Sequence, residues 1–285
     1  MCNKSGLIYK ISITGDLGSG KSTVCKLLEE RINAKTVSVG SIQRAMAKDM
    51  GMTTYEFNRY MEDHPEIDDQ FDTMLKSYDA VNDCNLLFDS RLAWNFVPSA
   101  FSVYVTTDLR EAARRVFNAN RENEGYSSIE EAMDKLSDRR SSEILRYSTA
   151  YGVEIKNLDN YDFIVDSTSA SPEEVAGMIL CEYEKYARGE DYVKRYLSPC
   201  RLYPLPCASA DGTVEVFEYN DFYYVTAGTE KLRQAIADHV PAVDCMMQSL
   251  KAEEKSGLIS ENLTKDTLQA WERDNGFKLI RYPFK

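Results

Sequence analysis

An α/β fold built on a doubly wound parallel sheet is what this sequence predicts, on three observations. Short runs of β-branched and apolar residues alternate with charged, helix-forming stretches from residue 7 to residue 188. A glycine-rich loop stands between the first apolar run and the first helical stretch. Hydrophobic residues make up 43% of the 285, which is enough for a packed core. Strands separated by helices must be joined by crossovers, so the sheet is parallel and covered on both faces.

Residues 7–14, Leu-Ile-Tyr-Lys-Ile-Ser-Ile-Thr, read as a buried strand. The loop that follows, Gly15-Asp16-Leu17-Gly18-Ser19-Gly20-Lys21-Ser22, matches GxxxxGK[ST] in full. Thr23 to Arg31 then places Val24, Leu27 and Leu28 at helical spacing. Glycines at these places let the backbone curl so that successive amides point at phosphate oxygens. The helix N-terminus adds partial positive charge. Lys21 is then expected to reach the β- and γ-phosphates of ATP, and the Ser22 hydroxyl to ligate magnesium beside Thr23. The fold class narrows to a P-loop NTPase sheet with a helical lid.

Further strands are expected at residues 36–40, 85–89, 101–106 and 162–165. Ser41 is expected to cap a helix carrying Arg44. Other helices are expected at Tyr55–Met61, across the charged stretch from Leu109 to Tyr151, and from Ser171 to Arg188. Asp89 closes its strand at the carboxyl end, where open α/β sheets place ligands. It reads either as a magnesium or acceptor ligand or as a surface acid. Arg44 and Arg91 follow separate strands, and a guanidinium meets phosphate bidentately, so both could grip one phosphate. The arginines of residues 110–146 are interleaved with acids. They read either as a salt-bridged helical face or as a lid closing on the transferred group.

Beside this residue-level reading stands a family resemblance. Residues 8–175 resemble the archaeal type of cytidylate kinase. The resemblance rests on the P-loop, Val39-Gly40-Ser41-Ile42-Gln43-Arg44, Gly51-Met52, Glu56-Phe57-Asn58-Arg59-Tyr60 and His64-Pro65-Glu66-Ile67-Asp68. It continues through Asp89-Ser90-Arg91-Leu92-Ala93, Arg121-Glu122, Ser142-Glu143, Arg146-Tyr147, Tyr151-Gly152, Tyr161-Asp162 and Ser171-Pro172-Glu173-Glu174-Val175. It implies reversible transfer from ATP to CMP or dCMP. It implies that Arg44 and Arg91 bind the acceptor phosphate, and that Arg121, Arg139 and Arg146 are lid residues around the donor phosphates. Arg140 departs from the family, which usually has an acid at that place.

A break at Gly189-Glu190-Asp191 and the proline-rich Ser198–Pro206 segment suggest a boundary. The expected division is a kinase-like domain at 1–189 and a smaller α+β C-terminal domain at 190–285. The latter would hold a hairpin (214–219 and 222–226), a helix from Thr229 to Ala237, a strand near Pro241–Met246 and a final helix over 260–275. The run from Tyr223 to Ala235 is similar to the nucleotide-binding box of ParB-like domains. Glu230 and Lys231 stand where that family has basic residues. The region is expected either to bind nucleotide weakly or to be structural and offer a surface to a protein partner.

The net charge is −12, with an acid excess in both parts, which argues against nucleic acid as a partner. No apolar run approaches the roughly 18 residues of a membrane span. Seven scattered cysteines without a CxxC pair suit a reduced, cytoplasmic protein. The expected function is a nucleoside monophosphate kinase using ATP and Mg2+. The alternatives are a kinase of another nucleotide or small-molecule acceptor, and a nucleotide-binding regulatory protein without turnover.

Overall fold

The computed structural model describes residues 7–119 and 126–284. Its first part runs β1 (Lys10–Gly15), α1 (Lys21–Ile32), β2 (Lys35–Ser38), α2 (Val39–Asp49), α3 (Thr54–Glu62), α4 (Pro65–Ser77), β3 (Leu86–Asp89) and α5 (Ala93–Phe96). It continues with β4 (Phe101–Thr106), α6 (Leu109–Asn118), α7 (Ile129–Tyr151), β5 (Phe163–Asp166) and α8 (Pro172–Ala187). After these come β6 (Arg195–Leu197), β7 (Leu202–Pro204), β8 (Val214–Tyr219), β9 (Phe222–Ala227), α9 (Thr229–Ala237), β10 (Val243–Met247), α10 (Ala252–Asn262) and α11 (Lys265–Asp274).

The strands lie in the order β2-β3-β1-β4-β5-β6-β10-β8-β9-β7. From β2 to β6 every pairing is parallel, as the strand–helix alternation predicts. Side chains alternate across the sheet, which sorts the sequence of each strand onto two faces. Ile11, Ile13, Leu87, Val103, Val105, Phe163 and Val165 pack on one face beneath α1 and α8. Leu86 and Phe88 meet α4 and α5 on the other. That second face turns polar toward the carboxyl ends of the strands, where Thr14, Thr106 and Asp166 are buried. A separate apolar cluster binds α2, α3 and α4 around Phe57, Met61 and Phe71. Another joins α6 to α7 through Ala112, Ala113, Val116, Ala132 and Leu136.

Local capping corrects three expectations. Ser38, not Ser41, caps α2, because the Ser38 hydroxyl accepts from Ser41 N and the helix starts at Val39. The helix expected over 260–275 is two helices. Thr264 and Thr267 form a capping box that starts α11 anew, and Glu254 anchors the start of α10 by accepting from Lys251 N. The stretch from Leu109 to Tyr151 is likewise two helices, with Ser128 capping the second.

The boundary expected near residue 190 is not a boundary of the sheet. Gly189 does leave the helix in the left-handed region, at φ 69°. The chain then returns as β6 and pairs in parallel with β5, so β5 is not an edge. Antiparallel β10 continues the sheet outward from β6. Residues beyond 190 also build apolar clusters of their own, around Leu232 and Trp271 and around Tyr203, Phe217 and Leu268. Trp271 and Leu268 face inward.

Glu182 of α8 fastens this return. Its buried carboxylate accepts from Val193 N at 2.8 Å, Lys185 Nζ at 2.8 Å and Tyr196 Oη at 3.3 Å. Glu182→Ala should lower the unfolding free energy by about 1–3 kcal/mol, because it strands the donors that lead into β6. Urea unfolding measures it; an unchanged midpoint would show that β6 is held by other contacts.

Candidate phosphate-binding site

The glycine loop sits where β1 meets α1, and packing dictates its composition. A Cβ on Gly15 would stand 2.3 Å from the Val105 carbonyl oxygen, so no side chain fits there. Gly18 has φ 76° and lies against Ala112 of α6, where a Cβ would come within 2.9 Å. Gly20, at φ 80°, precedes α1 and supplies no side-chain cap to it. Among the described residues, Thr23 N and Val24 N donate to the Gly20 carbonyl at 2.9 and 3.1 Å, which leaves the Lys21 and Ser22 amides at the head of α1 for a ligand that accepts hydrogen bonds. Ser22 and Thr23 are exposed in that turn. Ser19 is buried, and its hydroxyl has no partner among the described residues.

Lys21 reaches from the first residue of α1 to Asp89 at the carboxyl end of β3, Nζ to Oδ1, at 2.9 Å. Ser38 Oγ, at the end of β2, donates to the other Asp89 oxygen at 3.4 Å. Three adjacent strand ends thus bring the expected phosphate lysine and the expected metal or acceptor acid together. Both side chains remain partly open to solvent.

Arg91 follows β3 and turns inward. Its Nη1 donates to the Gly15 carbonyl oxygen, and its Nη2 pairs with Glu143 of α7 at 3.2 Å. Burial, the largest single influence, opposes its charge, but Glu143 together with Tyr147, Tyr104 and Asp16 holds the guanidinium pKa above its ordinary value. Glu143 also receives Arg139 at 3.5 Å, so one α7 carboxylate joins two of the expected arginines. Arg146 donates to Tyr147 Oη at 2.9 Å, and its guanidinium lies 4.8 Å from that ring's centre. Arg44 is exposed on α2 and donates to Ser41 Oγ at 2.9 Å, and among the described residues it makes no hydrogen bond to Arg91. Arg121 lies outside the described residues.

Sequence reasoning missed the most heavily bonded charge in the loop. Asp16 is buried and accepts from Tyr104 Oη at 2.9 Å, Thr106 Oγ1 at 2.9 Å and Thr107 N at 3.1 Å. Lys156 and Arg140 approach it at 2.8 and 3.1 Å. Burial alone would raise its pKa, yet these two cations hold it well below the carboxylate range. Arg140 also pairs at 3.1 Å with Asp221, in the β8–β9 turn. The signal was available: an acid inside a loop packed under buried strands needs a cation, and Arg140 was the residue out of keeping with the resemblance.

The nucleotide-box likeness of the C-terminal part fails on geometry. Gly228 precedes α9 at φ 75°, tight against Thr213. However, Thr229 N and Glu230 N already donate to the Ser209 and Ala210 carbonyls. Lys231 pairs with Asp244 at 2.7 Å. The amides that would hold a phosphate are used by the chain itself.

No group of three or more metal-ligating side chains occurs among the described residues, nor any helix long and apolar enough to cross a membrane.

A family described as "AAA domain" matches residues 11–143. A protein named cytidylate kinase from Thermoplasma volcanium is 38% identical over 192 residues, covering 66% of this chain and 98% of that one. Another of that name, from Pyrococcus furiosus, is 36% identical over 170 residues, 59% of this chain and 85% of its own length. An S-adenosylmethionine-dependent nucleotide dehydratase from Lacinutrix mariniflava is 34% identical over 179 residues, but this chain spans only 36% of it. Similarity that covers 98% of the Thermoplasma volcanium cytidylate kinase places this chain in the cytidylate kinase family of nucleoside monophosphate kinases.

Proposed function

We propose that the protein transfers the γ-phosphoryl group of ATP to CMP or dCMP. The carrying observation is the Lys21–Asp89 pair at the head of α1, beside the free amides of Lys21 and Ser22. An ammonium on the first residue of α1, engaged among the described residues by one partly exposed carboxylate, is a charge that a polyphosphate can take over. The loop amides of Gly15 to Ser22 would cradle the donor phosphates, with Gly15, Gly18, Ser19 and Gly20 giving the backbone its shape. Lys21 would leave Asp89 for the β- and γ-phosphates. Ser22, exposed in the first turn with Thr23 beside it, would hold magnesium, which supplies charge neutralisation when bound.

In the reaction an oxygen of the acceptor phosphate attacks the γ-phosphorus. The bond to the β–γ bridging oxygen breaks, and ADP leaves with that electron pair. Such transfer needs positioning and charge more than covalent help. Arg44 and Arg91 would bind the acceptor phosphate, with Asp89 orienting the acceptor. To do so, Arg91 would exchange Glu143 for phosphate, freeing the α7 carboxylate that also engages Arg139. Arg121, Arg139 and Arg146 would then close on the transferring group. The preference for cytidine rests on the named relatives.

The decisive experiment is an ADP-release assay across CMP, dCMP, UMP, AMP and GMP, with CMP or dCMP expected to turn over best. Release only with another acceptor would reassign the substrate, and nucleotide binding without release would favour a regulatory role. Lys21→Ala should cut kcat by about two to three orders of magnitude while circular dichroism stays unchanged. Near wild-type turnover by the folded variant would remove Lys21 from the chemistry. Arg44→Ala should raise the acceptor KM by about ten- to a hundredfold and leave the ATP KM nearly unchanged. The reverse pattern in initial-rate kinetics would assign Arg44 to the donor.

A further inference from the structure

Asp166 closes β5 and has no solvent exposure. Its Oδ1 accepts from Thr168 N at 2.9 Å, and its Oδ2 accepts from Ser198 N at 3.2 Å. The cation that balances it comes from beyond residue 190: Arg201 Nη1 lies 3.0 Å from Oδ2. Arg201 is itself buried, donates to Thr106 Oγ1 at 3.3 Å and lies over the Tyr223 ring, 5.2 Å from its centre.

Asp166 starts the Ser167–Ser169 loop, which leans on the phosphate loop. Ser167 Oγ donates to the Ser19 carbonyl at 2.9 Å. Arg115 of α6 grips the Ser167 and Thr168 carbonyls from the other side, at 2.6 and 3.3 Å. Asp108, the cap of α6, donates its amide to Thr168 Oγ1 at 2.9 Å. Its carboxylate is balanced by a second distant cation, Arg281, at 2.7 Å. Carboxylates at the ends of β4 and β5 therefore hold the loop beside Ser19, and both take their counter-charge from the last third of the chain.

We propose that Arg201 is a positioning residue for the phosphate donor. By neutralising Asp166 it sets the Ser167–Ser169 loop and, through Ser167, the Ser19 segment of the glycine loop. Residues beyond 190 thus complete the donor side of the site. The inference rests on the reading that ATP binds at the glycine loop, but not on the identity of the acceptor. A buried carboxylate that loses its cation is left with an uncompensated charge. It is relieved by protonation or by movement, and either outcome weakens its hold on Thr168 N.

The test uses the full chain with Arg201→Met and Arg201→Lys. Thermal unfolding reports folding, titration calorimetry reports ATP affinity without turnover, and initial rates separate the two KM values. Arg201→Met should weaken ATP binding about tenfold or more and raise the ATP KM to match, with the acceptor KM within about twofold. Arg201→Lys should recover much of the loss, since an ammonium still neutralises the carboxylate. A folded Arg201→Met that binds ATP as tightly as the parent, or one whose two KM values rise together, would overturn the proposal. Should Arg201→Met not fold, Arg281→Met, at a more open site, probes the same loop through Asp108. It should weaken ATP binding several-fold, and unchanged binding would overturn the proposal equally. Failure of the kinase reading looks different: ATP binding would shift as described, but no acceptor would release ADP.

Discussion

The arrangement turns on carboxylates buried at the carboxyl edge of the sheet. Asp16, Asp108 and Asp166 follow or close β1, β4 and β5, and their side chains are 6%, 1% and 0% exposed. An ionised carboxylate in such a place is tolerable only with a cation and hydrogen bonds close by. Asp16 takes Lys156 and Arg140, Asp108 takes Arg281, and Asp166 takes Arg201. Every one of those cations comes from outside the strand and loop it serves. Solvation of three acids thereby decides where α7 and the last third of the chain must lie.

Much of the parallel sheet was legible because strands buried on both faces write themselves as near-continuous apolar runs. Residues 101–106 and 162–165 were read on that ground, and the glycine loop on its spacing. Ser38 displaced Ser41 as a cap, because either hydroxyl precedes helical sequence and only backbone direction chooses between them. β6 was missed for a different reason. Arg195, Tyr196 and Leu197 make too short a run to signal a strand, and β5 supplies the partner that makes them one. Lys21 and Asp89 were named from their places along the chain and do meet. Asp16, Arg201 and Arg281 were missed because their pairings cross long stretches of sequence with no local pattern.

The acidic side of α7 gives the site its resting state. Glu143 lies between Arg91 and Arg139, and Asp89 occupies Lys21. Each of these cations is held by a carboxylate in the absence of ligand. Arg140 works differently, because it joins Asp16 on the glycine loop to Asp221 in the β8–β9 turn. Movement of α7 over the donor would therefore be felt in the C-terminal hairpin, whose turn residues Asn220 and Asp221 both adopt positive φ.

The order of the strands also bears on how the protein survives in a crowded solution. A sheet of ten strands has two outer rims, each with unpaired backbone groups able to recruit another chain. Here β2 forms one rim and β7 the other. β2 is four residues long and begins with the exposed Lys35, and β7 is three residues long and ends in Pro204, which has no N–H to lend. The long apolar strands Lys10–Gly15 and Phe101–Thr106 lie well inside, flanked on both sides. The segments with most tendency to stack into fibrils are thus shielded by the ones least able to start them.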